Sequence, residues 1–306
     1  MIRLIVSKTS SAVLTLVVAS SIAFFLARGS GSPVQQILGD FATPDQIAQL
    51  NAELGMDQPL IVQYGRFLLD LATFNLGDSL RYDLSNVDLI ASRLPASIGL
   101  AVAALLIAVL IGVPLGILAA VREGGIIDRL ASAMALLGQS VPLFWLGLML
   151  IMLFAVQLGW LPAGQNASLP SLVLPAVTLS TLPMAQIARL TRSSMSEVLQ
   201  EGFVSAARAR GLAGWRIILV HALRSAALPV VTIVGLQMGM LFSGAVTVEF
   251  VFAWPGLGSL ATQAVQTRDF PLVQAIVIVG ALGFVLINLL VDLLYGLVDP
   301  RIRESA

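Results

Sequence analysis

The sequence predicts an all-α integral membrane protein of six transmembrane helices with both termini in the cytoplasm. Three observations carry that expectation. Of 306 residues, 58% are hydrophobic and only 11% charged, against about 25% charged in soluble domains, and the mean hydropathy is +0.93. The charges fall in bands, separated by runs near or above the roughly 20 residues that cross about 30 Å of hydrocarbon. The basic residues favour alternate bands, which orients the chain.

Taken in order, the first run is Thr9 to Ala27, preceded by Arg3 and Lys8. It exceeds the roughly 7–15 residues of a signal-peptide core, and "FFLARGS" offers no small-x-small cleavage site. It therefore reads as an uncleaved anchor, with residues 1–27 as cytoplasmic N-terminus and first span. Residues 28–93 form the one large loop, external. It carries eight acids (Asp40, Asp45, Glu53, Asp57, Asp70, Asp78, Asp83, Asp88) against four arginines. Inside it, "TPDQIAQLNAELG" predicts a short helix with Thr43 as N-cap, Pro44 in the first turn and Gly55 as stop; Ile47, Leu50 and Leu54 share one face. Leu60 to Phe74 predicts a second amphipathic helix, with Leu60, Tyr64, Phe67, Leu68 and Leu71 along one side.

Residues 94–306 supply the remaining spans. Leu94 to Val121 is the second; its Gly112, Pro114 and Gly116 fit either a helix that flexes or ordinary close packing. Leu130 to Ala188 is long enough for the third and fourth, with "GWLPAGQNASLP" from Gly159 as the turn and Trp160 as an interfacial anchor. Pro142, Pro175 and Pro183 should loosen these two. Ser225 to Val248 is the fifth span, with Pro229 marking its start, and Phe270 to Val291 is the sixth. This threading puts twelve basic residues inside (Arg3, Lys8, Arg122, Arg129, Arg189, Arg192, Arg208, Arg210, Arg216, Arg224, Arg301, Arg303) and five outside (Arg28, Arg66, Arg81, Arg93, Arg268).

Several chemistries are excluded. Without cysteine there is no thiolate nucleophile or Cys-ligated metal, and a single histidine, His221, cannot build a His-based metal site. A phosphate-binding P-loop needs a lysine after a Gly-rich turn; Lys8 is the only lysine, so no ATPase site is expected here. No catalytic or metal-binding residue and no cofactor is expected in this chain, and no nucleic-acid partner.

"EGFVSAARARGLAGWRIILVHALRSAALPVV", residues 201–231, stands out as a charged cytoplasmic segment between apolar runs. Leu199 to Arg210 has helical spacing, and Gly211 should end that helix in a left-handed C′ conformation. Trp215 to Leu223 predicts a second helical piece. Ala207 and Gly211 share a face, with Ala206 beside them, so another backbone can approach closely. Arg208, Arg210, Arg216 and Arg224 are placed to meet acids or lipid phosphates. The segment reads as a docking knob; the plainer alternative is a connector that serves topology alone.

Here the sequence resembles the permeases of ABC transporters, whose cytoplasmic "EAA" loop runs Glu-Ala-Ala, three residues, Gly, then Leu-Pro. This chain has Ser205-Ala206-Ala207, Gly211 and Leu228-Pro229, with Ser205 in place of the acid. Similarity to the dipeptide/oligopeptide/nickel branch extends over nearly the whole chain, through "LGMDQPLIVQYGRFL", "RLPASIGLA", "SVPLFWLGL", "VEFVFAWPGLG" and "NLLVDLLYGLVDPRIR". "GSGSPV" departs from that branch's Pro-Gly-Asp-Pro, with Ser32 replacing the acid. The resemblance implies the type I importer fold, a B-type membrane subunit paired with a second homologous permease, two ATP-binding subunits holding ATP and Mg, and an external solute-binding protein. It implies a coupling loop at about 196–224, with Glu201, Ser205, Ala206, Ala207, Arg208, Arg210, Gly211 and Leu212 meeting the ATPase. The implied cargo is peptides, with nickel or another small solute as the alternative.

Among the remaining charges, Glu249 ends the fifth run before "FVFAWPGLG", where Trp254, Pro255 and Gly256 suggest a turn that caps the pathway externally. A carboxylate there would suit a peptide amino terminus or a cation; the plainer expectation, favoured because the residue lies near the span's end, is an interfacial acid paired with Arg268 or a partner's arginine. Arg189 and Arg192 are expected to serve membrane retention and lipid contact, Asp292 and Asp299 helix termination, and His221 an interface hydrogen bond. A gradient-driven transporter would need a mid-span acid relay and usually an inverted repeat, and neither is visible.

Overall fold

A computed structural model describes residues 2–29, 34, 38, 42–53, 55–164 and 168–298. Ser32, Asp40, Leu54, Asp299, Pro300, Arg301 and Arg303 lie outside the described residues. The described chain is helical: α1 (Ile2–Gly29), α2 (Pro44–Glu53), α3 (Leu60–Ala72), α4 (Asn86–Val121), α5 (Ile126–Ser140), α6 (Leu143–Leu150, continuing through Ile151–Gln157 as a wider π-type helix) and α7 (Leu169–Leu199). Then come α8 (Gly202–Ala209), α9 (Gly214–Arg216, Ile217–Ala222 and Leu223–Val251, end to end), α10 (Leu257–Gln266) and α11 (Phe270–Val298). Among the described residues, the only extended pairing is a single bridge, Asp78 to Ser85.

Four described helices are long and apolar enough to cross a membrane, and a fifth span results if α5 and α6 are taken together. Those two meet at a bend of 105°. Taken as one span, the pair is broken rather than merely loosened. Pro142 takes an extended conformation (φ −60°, ψ 133°), and a residue before proline is driven out of the helical region. The apolar stretch of α1, Ala12–Leu26, is shorter than these spans.

A second expectation is also revised. No separate helical piece covers Trp215 to Leu223, and Pro229 does not start the fifth span; α9 runs unbroken from Gly214, with Pro229 inside it. The π-type turn over Ile217–Ala222 absorbs what would otherwise be a break.

The chain divides into two compact units. One comprises Ala96–Pro255 and the chain from Leu286. Its core gathers Leu100, Ala104, Leu174, Leu179, Leu241 and Phe252, and a second cluster joins Ala120, Met195, Val198, Ala222 and Ala226. Gly112 and Gly116 settle the question left open for "IGVPLG". A Cβ on Gly112 would stand 2.9 Å from the Met184 carbonyl oxygen, and one on Gly116 would stand 2.6 Å from that of Ala188. The two glycines, four apart, are where α4 and α7 touch backbone to backbone, the small-xxx-small contact of membrane helices.

The other unit comprises Ile2–Pro95 and Gly256–Val285. The capping of α2 is reciprocal: Thr43 N–H donates to Gln46 Oε1 at 3.0 Å, and Gln46 N–H donates to Thr43 Oγ1 at 3.4 Å. Gly55 follows at φ +63°. Tyr64 and Phe67 of α3 meet Phe24 of α1 with ring centroids 5.3 Å apart, and the hydroxyls of Tyr64 and Ser21 lie 2.6 Å apart. Asp269 accepts from Ser79 Oγ and, at 3.3 Å, from Leu272 N–H, which caps α11.

Candidate functional site

Two regions hold the candidate site residues, all in the first unit except Gly256, which falls in the second. The segment expected to dock begins with Glu201, an extended N-cap (φ −70°, ψ 150°). α8 follows, and Arg210 is its C-cap. Gly211 then takes φ +76°, with its N–H on the Arg208 carbonyl at 3.0 Å, while Leu212 N–H reaches the Ala207 carbonyl at 3.2 Å. Nothing lies within 4 Å of a Cβ built on Gly211, so glycine is required there by conformation and not by space.

Val204 is the one residue of α8 that is buried, and α8 packs against the π-type turn of α9. Glu201, Ser205, Ala206, Arg208, Arg210 and Gly211 are exposed, while Ala207 and Leu212 are half-buried. Phe203, Trp215, Leu219 and Val220 add exposed apolar surface around it, and His221 is exposed too. The result is a short helix anchored at one point, presenting small residues, arginines and a rim of large apolar side chains.

Near its C-terminal end α7 is tied to α5. Arg192 donates to Asp128 Oδ2 at 2.8 Å, and Gly124 N–H donates to the same oxygen at 2.9 Å. Arg192 thus serves an internal ion pair, not the lipid contact expected of it.

The C-terminal end of α9 departs further from expectation. Glu249 is not interfacial. It is 0% exposed, and Ser97 Oγ of α4 donates to its Oε1 at 2.6 Å. One turn on, the buried Trp254 donates its indole N–H to the Ala96 carbonyl at 3.0 Å. The backbone turns sharply between them: Trp254 N–H bonds to the Glu249 carbonyl at 2.8 Å, and Ala253 sits at φ +48°. Gly164 (φ +130°) lies so close to Phe252 that a Cβ would fall 1.8 Å from its carbonyl oxygen. Pro255 is half-buried, and Gly256 is the extended N-cap of α10. Glu249 and Trp254 are thus brought together against α4. Ser97 and Ala96 were missed, since nothing local to a serine or an alanine signals a partner so distant in sequence.

Sequence reasoning also missed a polar contact at mid-span: Gln237 of α9 donates its Nε2–H to Gln186 Oε1 of α7.

Long apolar helices packed through small residues, a short helix left exposed between two of them and a tightly capped turn at Trp254 make this a multi-span helical membrane protein. In fold, 70% of the chain matches 97% of a chain of the inward-facing MetNI methionine ABC transporter, with a TM-score of 0.55 and 22% identity. A second match is an amino acid ABC transporter, with a TM-score of 0.55, 20% identity, and 68% and 94% of the two chains covered.

The chain belongs to the inner membrane components of binding-protein-dependent transport systems: that family's profile matches residues 112–304, and its N-terminal counterpart matches residues 1–101. Among its relatives is a dipeptide transport system permease protein of Alkalihalophilus pseudofirmus, 42% identical over 89% of this chain and 90% of the relative. The dipeptide transport system permease protein of Escherichia coli K12 is 41% identical, over 90% and 91%. A putative peptide transport system permease protein of Brucella abortus is 37% identical over 99% of both.

Proposed function

We propose that this chain forms half of the translocation pathway of an ATP-driven importer of peptides. It sits in the inner membrane through six spans, α1 and the α5–α6 pair each counting as one, with both termini cytoplasmic. A second, homologous permease completes the pathway, and an external binding protein delivers the solute. Two ATP-binding subunits hold ATP and Mg and dock on the segment from Glu201 to Leu212.

The observation that carries this reading is the exposure of α8. A helix of eight residues is too short to stand alone in water. Here it is fixed through Val204, with the remaining side chains left for a partner. The names of the relatives supply the peptide. Glu249 and Trp254 serve as the outer cap.

The test is reconstitution. The chain should co-purify with two ATPases and, in vesicles, take up a radiolabelled dipeptide only with ATP and the loaded binding protein. Uptake of nickel without peptide would replace the cargo, and a chain that purifies free of ATPases would remove the coupling role. Reporter fusions after Gly77 and Gly214 should read outside and inside; one compartment for both ends the six-span topology.

A further inference from the structure

We infer that Gln186 and Gln237 form a solute-contact site at mid-membrane that reads the backbone of the passing peptide, an inference that rests on the peptide reading above. Gln237 lies near the middle of the uncharged run between Arg224 and Glu249, roughly 18–20 Å of helix from either at 1.5 Å per residue. It is 1% exposed and gives its Nε2–H to Gln186 Oε1. A carboxamide is costly at that depth unless bonded, and uncommon polar groups there mark pathways.

A pair that only bolted α7 to α9 would be enclosed on both sides. Gln186 is half-buried, so part of the residue meets space outside the chain's own packing. The face it occupies on α7 is polar from there inward. Arg189, Ser193, Glu197 and Gln200 follow at intervals of three and four residues, all exposed, which is one helical stripe. The opposite face, with Ala188, Thr191, Met195 and Val198, is buried. Lipid tails would not be met by Gln186, whereas a wet track toward the cytoplasm would.

The chemistry fits a carrier of varied peptides. A carboxamide both donates and accepts, as does each peptide unit. Being neutral, it neither traps nor repels the side chains that differ from one cargo to the next. Without solute the two glutamines satisfy each other; with solute they exchange that bond for the peptide's N–H and C=O.

The experiment uses the assembled complex with its binding protein and ATPases in vesicles. Replacing both partners by Leu (Gln186→Leu with Gln237→Leu) removes the pair without leaving one carboxamide buried alone, a change that is close to neutral for a mere structural bolt. Uptake of a plain peptide is compared with that of the same peptide methylated at its backbone nitrogen. The expected result is a fall in the plain-to-methylated uptake ratio of about fivefold, the worth of one net hydrogen bond. An unchanged ratio, whether uptake falls for both peptides or for neither, overturns the inference. A wild-type complex that takes up no peptide overturns the peptide reading itself, and with it this solute class. An independent arm uses the absence of native cysteine: Gln186→Cys in the assembled complex should react with a water-soluble, membrane-impermeant thiol reagent, and protection from it in every nucleotide state places the residue in lipid or in a sealed interface and overturns the site.

Discussion

Ser97 Oγ and Glu249 Oε1 are bonded at 2.6 Å across 152 positions of sequence, and Glu249 is completely buried. This contact and that of Trp254 with Ala96 join the C-terminal end of α9 to α4, about three turns into that helix. Ser97→Ala removes one donor from a buried carboxyl group, at a cost of about 1–3 kcal/mol. The purified complex should melt at a lower temperature, and Glu249→Leu should lower it further by removing the carboxyl group from its buried polar site. A melting curve unmoved by Ser97→Ala would show the bond to be idle.

Gly116→Ala should be poorly tolerated, because the new Cβ would lie 2.6 Å from both the Ala188 carbonyl oxygen and Thr191 Cβ. Forcing α4 from α7 costs about 1–3 kcal/mol. Gly99→Ala on the same helix meets nothing within 4 Å and should be neutral or slightly stabilising. Equal thermal stability of the two variants would refute close packing at Gly116.

Gly164 and Gly159 make a second pair of unequal glycines. Gly164→Ala combines φ +130° with a Cβ 1.8 Å from the Phe252 carbonyl oxygen, whereas Gly159→Ala carries φ +63° in open space. The second change should cost only the left-handed strain of about 1–2 kcal/mol. The first should displace the loop from Phe252 and cut the yield of folded protein sharply. Comparable yields would place the loop elsewhere.

The coupling segment can be tested without touching the spans. Gly211→Val imposes a β-branched side chain at φ +76°, and Ala207→Glu places a carboxylate on the half-buried side of α8. Both should leave membrane levels unchanged while peptide uptake falls at least about tenfold, since an unpaired charge in a dry contact costs several kcal/mol. Ala213→Ser should transport normally. Wild-type uptake in Gly211→Val and Ala207→Glu, at equal expression, would reduce the segment to a connector.

Much of the fold was legible where the signal was local. Uncharged runs marked the long apolar helices, Thr43 with Pro44 marked the start of α2, and Gly211 marked the end of α8. The bend at Pro142 was less so: the proline was visible, yet spans often accommodate one when neighbours re-satisfy the freed carbonyl, so its presence did not fix a break of 105°. The π-type turn over Ile217–Ala222 left no pattern, because one extra residue per turn changes no residue type. Glu249 was misplaced for a different reason. Its depth depends on Ser97, and a partner that distant appears only after the helices pack. The Gln186–Gln237 pair, 51 positions apart, was hidden in the same way.

The pinning of α9 at its outer end also sets where its motion is large and where it is small. If the helix tilts, it would move as an oar held in a rowlock at Glu249, with its blade at the far end. Leu223 lies roughly 39 Å and Gln237 roughly 18 Å below that fulcrum at 1.5 Å per residue. A sideways stroke of about 2 Å at Leu223 reaches Gln237 as about 1 Å. A change of that size takes a hydrogen bond from made to broken, while Ser97 and Glu249 stay in place.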